Sequence, residues 1–479
     1  MKASILLLFT TLLFSAGIAA QPDGSPITIG EQFTIRSTVL DEERSILVGL
    51  PARYALSNAS YPVLYVLDGA AHFHYTTGIT EFLANNQFIP EMTVVAVNNT
   101  DRTRDLTPPS QIEREQQSSP THGGADNFQR FFAEDLMPWV ESNYRTHPYK
   151  VLVGHSFGGL FAIHTLTTRP NLFDAYIAIS PSMQWNGQHL VEQAETFFAD
   201  TPQLPASLYM TVGNEGAELL GGARKLAGVL DAATPKDFLW RFDHMPEETH
   251  GSVPHRSTYQ GLEFVFANWL LRNPFEVYTQ YGLAAVEQFY AFGDKRYGVS
   301  RGLPELTLAY LLGNIVRAGE LDDAVNLLSK PAALQNASAS TVTYLADGLR
   351  DSEDLDRAET FYRHALRKNP GYVAARKALE ALHIDYSDIV PNPRIAADIL
   401  DRYSGVYASK QTGDMTVLVE DGGLYVDISG RRLQLHPLSE SEFYVLERDN
   451  QYTFQFADDG QVSGVELRQD EFSVVADRR

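Results

Sequence analysis

The chain has 479 residues, 44% of them hydrophobic and 20% charged, with 60 acidic against 38 basic side chains and a net charge of -22. That length exceeds one ordinary core and implies two or three domains, and that charge argues against nucleic acid or an anionic membrane as partner. There are no cysteines, which excludes disulfides, thiolate metal sites, a cysteine nucleophile and a lipid anchor on cysteine.

Met1-Lys2, the apolar Ile5-Leu6-Leu7-Leu8-Phe9 and the small residues up to Ile18-Ala19-Ala20 read as a secretory signal cleaved after Ala19 or Ala20. The expected location is periplasmic or secreted, with no membrane attachment after cleavage. Residues 21–60 carry short alternating segments, read as antiparallel strands at a sheet edge. Tyr61-Pro62-Val63-Leu64-Tyr65-Val66-Leu67 and Met92-Thr93-Val94-Val95-Ala96-Val97 follow as buried strands. The second leads into a long charged loop, Asn98 to Pro108. Phe128 to Tyr144 has helical spacing, with Pro138 inside it as a source of a kink. Further strands are expected at Val151–Val153, Ala175–Ser180, Leu208–Gly213 and Phe238–Phe242, with helices between them. Alternation of this kind means a largely parallel sheet covered on both faces. Ligands of such sheets bind beyond the carboxyl ends of the strands.

Composition changes near residue 275. Leu311, Ile315, Leu321 and Ala324 recur 34 residues later as Leu345, Leu349, Leu355 and Ala358, the period of tetratricopeptide helix pairs. Two copies need an outside surface to bury their apolar faces. Pro391-Asn392-Pro393 ends the helices. Six alternating strands follow between Met415 and Leu467, with Asp421-Gly422 and Asp459-Gly460 as hairpin signals. They form a small antiparallel β domain, a barrel or curled sheet. The division is therefore 1–20 signal, 21–275 α/β catalytic domain, 276–390 helical region and 396–479 β domain. The sheet is complete by residue 272, so a chain ending near 275 is expected to be soluble and active.

The chemistry-bearing stretch is Gly154-His155-Ser156-Phe157-Gly158-Gly159, after an apolar strand and before a small-residue helix. This is the sequence of a sharp strand–turn–helix that lifts a serine above the sheet. Gly154 and Gly158 omit side chains that would collide in the bend, and Gly159 allows close helix–strand packing. Ser156 is the candidate nucleophile and needs a general base. His250 follows the last strand, with His244 and His255 as rivals. The acid should follow the preceding strand: Glu215 is preferred over Glu218, with Asp243 third. An oxyanion hole needs two N–H groups, one from Phe157 and one from Gly69 or Ala70. His72 and His74 either line the pocket mouth or are ordinary loop histidines, and no third ligand makes them a metal site. Arg102 and Arg104 either bind an anionic or catecholate-like group or form structural pairs with Asp101 or Asp105.

Residues 26–270 resemble the esterase family of α/β-hydrolases that includes esterase D-like enzymes, siderophore trilactone esterases and mycolyltransferase relatives. Tyr61 to Gly69, Asp101 to Pro108, Gly154 to Gly159, Ser180-Pro181-Ser182 and His250-Gly251-Ser252 carry the resemblance. It implies an α/β-hydrolase sheet, Ser156 as nucleophile and His250 as base, with the acid variable. Residues 396–470 resemble a lipocalin-like domain through Tyr403-Ser404-Gly405-Val406-Tyr407, which implies no chemistry.

The combined expectation is an exported serine esterase acting on carboxylic esters through an acyl-enzyme, with siderophore-type lactones among the substrates. No cofactor is called for. The expected partners are a small-molecule ester and a protein bound through the helical repeats. The competing readings are a catalytically silent binding or scaffold protein, and an acyltransferase that shares the residues but excludes water.

Overall fold

The computed structural model describes residues 26–409, 413–428, 430–469 and 472–479. The secretory signal read at 1–20 lies outside the described residues. Among those residues the N-terminal part forms a sheet of eight strands: β1 (Glu31–Ser37), β2 (Glu42–Gly49), β3 (Tyr61–Val66), β4 (Thr93–Val97), β5 (Thr146–His155), β6 (Ala175–Ile179), β7 (Ser207–Gly213) and β8 (Leu239–Met245). Their spatial order is β1-β2-β4-β3-β5-β6-β7-β8. β1 and β2 pair antiparallel at the edge, β2 meets β4 antiparallel, and the rest of the sheet is parallel.

The central strands read as continuous apolar runs because both faces are covered. Tyr65 and Leu152 face a core with Phe128, Phe132, Leu160 and Leu226, while Leu64, Val151 and Val153 face one with Phe73, Leu83 and Leu262. Successive side chains of one strand thus serve opposite layers. The segment Phe128–Tyr144 is helical as expected, and the irregularity in it is a π turn. The segment runs as Ala125–Phe131, the π turn at Phe132–Leu136, then Met137–Asn143 with Pro138 in the first turn. The loop after β4 contains a helical turn, Arg102–Leu106, capped by the Asp101 side chain accepting from the Arg104 N–H at 3.0 Å.

In the helical region, Glu305–Arg317 and Leu321–Leu328 are followed by Ala339–Asp351 and Leu355–Lys368, so the starts of the paired helices repeat at the sequence offset. Leu311, Ile315, Leu345 and Leu349 are fully buried. Leu321 lies under Gly348 of the second pair, whereas its counterpart Leu355 is 47% exposed. The preceding helix, Leu283–Tyr297, belongs partly to the sheet. Tyr297 is 2% exposed within the core of Tyr149 and Phe266, and its hydroxyl meets the Val265 carbonyl at 3.1 Å.

The C-terminal strands close into an eight-stranded antiparallel barrel. They are β9 (Gly405–Ser409), β10 (Gly413–Glu420), β11 (Gly423–Ile428), β12 (Arg431–Pro437), β13 (Glu442–Tyr444), β14 (Gln451–Phe456), β15 (Val462–Gln469) and β16 (Phe472–Arg478). β9 and β16 were not legible from the pattern, and β9 closes the ring by pairing with both β10 and β16. Asp421 and Gly422 both have positive φ, 51° and 76°, as the hairpin signal requires. The helices do not end at Pro393: Ala397–Tyr403 precedes the barrel, and Tyr403 stacks on Phe454 at 4.3 Å inside it. The barrel docks on the helical region through Tyr444, whose hydroxyl accepts from Arg376 at 2.9 Å and donates to Asn392 at 2.6 Å.

Candidate functional site

β5 ends at His155, and Ser156 sits at φ 61°, ψ -114° before the helix Phe157–Thr168. A non-glycine residue held there costs about 1–3 kcal/mol and persists only when its surroundings enforce it. The Ser156 N–H donates to the Ile179 carbonyl at 2.9 Å, and its own carbonyl accepts from Leu160 at 2.9 Å and Ser182 at 3.1 Å. Gly154 is forced by contact, since a Cβ there would lie 2.2 Å from the Gly158 carbonyl oxygen. At Gly159 a Cβ would lie 2.9 Å from the Ile179 oxygen. Gly158 differs from the sequence expectation. A Cβ on it would meet the Leu67 side chain at an ordinary 3.4 Å, so the bend needs the backbone of Gly158 close, not its side chain absent.

Glu215 follows β7 and His250 follows β8. Glu215 Oε2 lies 2.6 Å from His250 Nδ1, the carboxylate 6% exposed and the imidazole 42%. Oε1 accepts from the Ser180 hydroxyl, and from the Gly213 N–H at 3.1 Å. An Nδ1–H given to the carboxylate assigns Nε2 as the accepting nitrogen of a neutral His250. The rival residues go elsewhere. Asp243 accepts from the Tyr209 hydroxyl at 2.7 Å and from Arg241 at 2.9 Å. Glu218 lies in the first turn of helix Ala217–Ala232, His244 pairs with Val212 within the sheet, and His255 packs on Tyr75.

The His250 ring stands 4.4 Å, centroid to centroid, from His155, which in turn packs edge-on against His72 at 5.8 Å. Burial, with His250 and His72 beside it, pushes His155 down to about 3, so this ring stays neutral at ordinary pH. Burial also lowers His72, whose Nδ1 meets the Tyr75 hydroxyl at 3.0 Å. His72 thus lies in the same row of rings as His250, while His74 lines a groove beside helix Gly69–Asn85 together with Tyr75 and His255.

Phe157 is the first residue of its helix, and Gly69 and Ala70 open the helix Gly69–Asn85. First-turn N–H groups have no acceptor within their own helix. Those of Ala71 and His72 turn back to the Asp68 carbonyl at 2.9 and 3.2 Å, which leaves Gly69 and Ala70 as the pair to consider. Gly69 also allows a close approach, because a Cβ would sit 2.8 Å from Asn98 Oδ1.

Arg102 and Arg104 separate. Arg102 binds Asp68 through two bonds, 2.6 and 3.0 Å, reaches the His155 carbonyl at 3.1 Å and lies over the Phe157 ring. Burial works to raise the Asp68 carboxyl, but the Arg102 guanidinium holds it below the usual carboxylate range. Arg104 takes the structural alternative: its guanidinium is held by Glu42 at 2.6 and 3.0 Å and by Asp105 at 2.8 Å. That pair belongs to a cluster around Arg44, which is fully buried and bonds Asp105 at 2.6 Å. Sequence reasoning did not single out His155, Ser180, Ser182 or Asp68 as parts of the site, although all four fall in the stretches that carry the family resemblance.

Residues 37–218 match the family model "Putative esterase", and residues 391–477 match a domain of unknown function, DUF3471. The chain is 29% identical over 220 residues to the ferri-bacillibactin esterase BesA of Bacillus subtilis, covering 41% of this chain and 75% of that protein. It is 37% identical over 165 residues to a siderophore enterobactin esterase of Emericella nidulans, covering 30% of this chain and about half, 53%, of that protein. Among solved structures it is similar to an IroE-like serine hydrolase from Shewanella oneidensis, with 28% identity and a TM-score of 0.51 over 62% of this chain and 96% of that one.

Proposed function

From the premise that residues 37–218 are an esterase-family segment, we propose that this protein is a serine hydrolase of carboxylic esters, with siderophore-type lactones among its substrates. The observation that carries the reading is the bond between Glu215 Oε2 and His250 Nδ1 at 2.6 Å, with the His250 ring against the residue that precedes Ser156. Ser156 Oγ attacks the ester carbonyl while His250 Nε2 takes its proton, and Glu215 stabilises the imidazolium that forms. The oxyanion is received by the N–H of Phe157 and that of Gly69 or Ala70. The proton passes to the leaving alcohol. Water then attacks the acyl-enzyme, gives a proton to His250, and the acid departs as Ser156 recovers its hydrogen. The named relatives act on siderophore esters, which supports the lactone as substrate class. The charged start and the apolar, small-residue stretch of residues 1–20 support export to the periplasm or beyond.

Ser156→Ala should reduce hydrolysis of p-nitrophenyl butyrate and of a siderophore trilactone by at least about 10³-fold. A fluorophosphonate probe should label the wild-type chain at Ser156. A full-activity Ser156→Ala, or a wild type that takes no label there, rules the mechanism out. Fractionation of expressing cells tests export.

A further inference from the structure

Between β6 and the turn Trp185–Gln188 the chain passes through Ser180-Pro181-Ser182. Ser180 sits at φ 41°. Its N–H donates to the Thr211 carbonyl at 2.7 Å, and its hydroxyl donates to Glu215 Oε1. Ser182 is 3% exposed. It gives its N–H to the Ser156 carbonyl at 3.1 Å, and its hydroxyl lies 3.3 Å from Ser156 Oγ. One short turn therefore touches the acid at one end and the nucleophile at the other. It is also clamped. A Cβ on Gly159 would lie 2.9 Å from Pro181 Cα, and one on Gly222 would lie 2.6 Å from Met183 Cβ. The helices behind the nucleophile and behind the acid both press against it.

We propose that Ser180 and Ser182 are positioning residues that set the acid and the nucleophile from one rigid turn, Ser180 through the Glu215 carboxylate and Ser182 through the Ser156 hydroxyl. This rests on the reading of Ser156, His250 and Glu215 given above. With Oε1 engaged by Ser180 and the Gly213 N–H, the carboxylate has Oε2 left to face His250, and rotation away would break two bonds at once. Without a partner, the Ser156 hydroxyl is free to turn among its rotamers; the Ser182 hydroxyl selects one and holds the oxygen above the bend. Reaction rates are sensitive to displacements of this size, because a reactant about 1 Å out of place loses about 10²-fold. A positive φ at a serine is also accounted for: it is the backbone setting that points the Ser180 side chain across to β7.

The experiment uses the full chain, with steady-state hydrolysis of p-nitrophenyl butyrate, the rate of fluorophosphonate labelling and circular dichroism. Ser182→Ala and Ser180→Ala should each lower kcat by about 10–100-fold with KM within about twofold, and slow labelling in proportion. Ser182→Thr, which keeps the hydroxyl, should recover most of the rate. Ser180→Gly removes the hydroxyl while accepting the positive φ, so it tests the same point if Ser180→Ala folds poorly. Folded Ala and Gly variants with wild-type kcat overturn the proposal, and a folded Ser182→Thr as slow as Ser182→Ala overturns the part assigned to Ser182. A wild type that neither hydrolyses the ester nor takes the label overturns the underlying reading instead.

Discussion

The open sheet and the closed barrel are built from the same element and differ in what their strands leave over. In the sheet, β5, β7 and β8 end in turns that carry Ser156, Glu215 and His250 beyond the last backbone pair. Glycines there let main chain approach main chain, as at Gly154. In the barrel, the strands spend their inward side chains on filling the ring: Tyr407, Met415, Val426, Phe443, Phe454 and Val465 are buried together with Tyr403 from the preceding helix. Eight strands enclose an interior just wide enough for side chains. Among the described residues the barrel core is thus apolar and packed, and its strand ends present no arrangement like the one above β5. Chemistry gathers where strands stop in parallel, and packing wins where they close on themselves.

The sharpest way to break this contrast is at the bend. Gly154→Ala should abolish ester hydrolysis, by about 10²-fold or more, because the new methyl must displace the Gly158 backbone and with it Ser156. Gly158→Ala, with only an ordinary contact to Leu67, should cost far less. Equal losses on p-nitrophenyl butyrate would mean that the bend is not set by this contact. The next effect concerns where the catalytic unit stops. A chain ending at 275 should aggregate, against the expectation drawn from sequence, because it strips Tyr297 from the core of Tyr149 and Phe266 and removes Arg296 from the Ala206 carbonyl at 3.2 Å. A chain ending at 390 keeps these contacts and should stay soluble and active; gel filtration with an ester assay decides.

Within the barrel, Phe454→Ala should cost about 3–5 kcal/mol of barrel stability, since the ring is 2% exposed and packs between Tyr403 and Phe443. Hydrolysis of a small ester should be unchanged. A parallel fall in kcat would show the two β systems to be coupled. The smallest effect is at Asp68, whose αL backbone an asparagine also tolerates. Asp68→Asn should lower stability at pH 7 by about 1–3 kcal/mol. The Asp68 carboxyl is lowered in the folded chain, so its contribution is present above the unfolded carboxylate range and is lost as pH falls through the folded value. The two proteins should therefore converge in Tm toward acid pH, and a constant difference would contradict the ion pair with Arg102.

The central strands of the sheet were legible for one reason. Tyr61–Val66 and Ala175–Ile179 are buried at every position, so apolar runs announce them. β9 and β16 carry no such run: Tyr407 in β9, and Val474 and Ala476 in β16, are buried among exposed and half-buried residues, and β9 closes the ring by pairing with both β10 and β16. The turn Arg102–Leu106 was equally hidden. Five residues have little helical preference of their own, and a buried ion pair from Arg44 on β2 fixes this one.

The site divides along the same line. Sequence alone determined the strand–Ser156–helix bend, because glycine spacing and apolar runs are local. It also determined the order in which base and acid candidates must follow, since parallel strands put their ends on one side. The tertiary structure decided which candidates meet. It selected Glu215 for His250 while Tyr209 took Asp243, turned Arg104 toward Glu42, and brought His155, Ser180 and Ser182 to the same point. The reason is physical: a hydrogen bond is fixed by ångström-scale placement of groups that lie tens of residues apart in the chain, and no local pattern carries that distance.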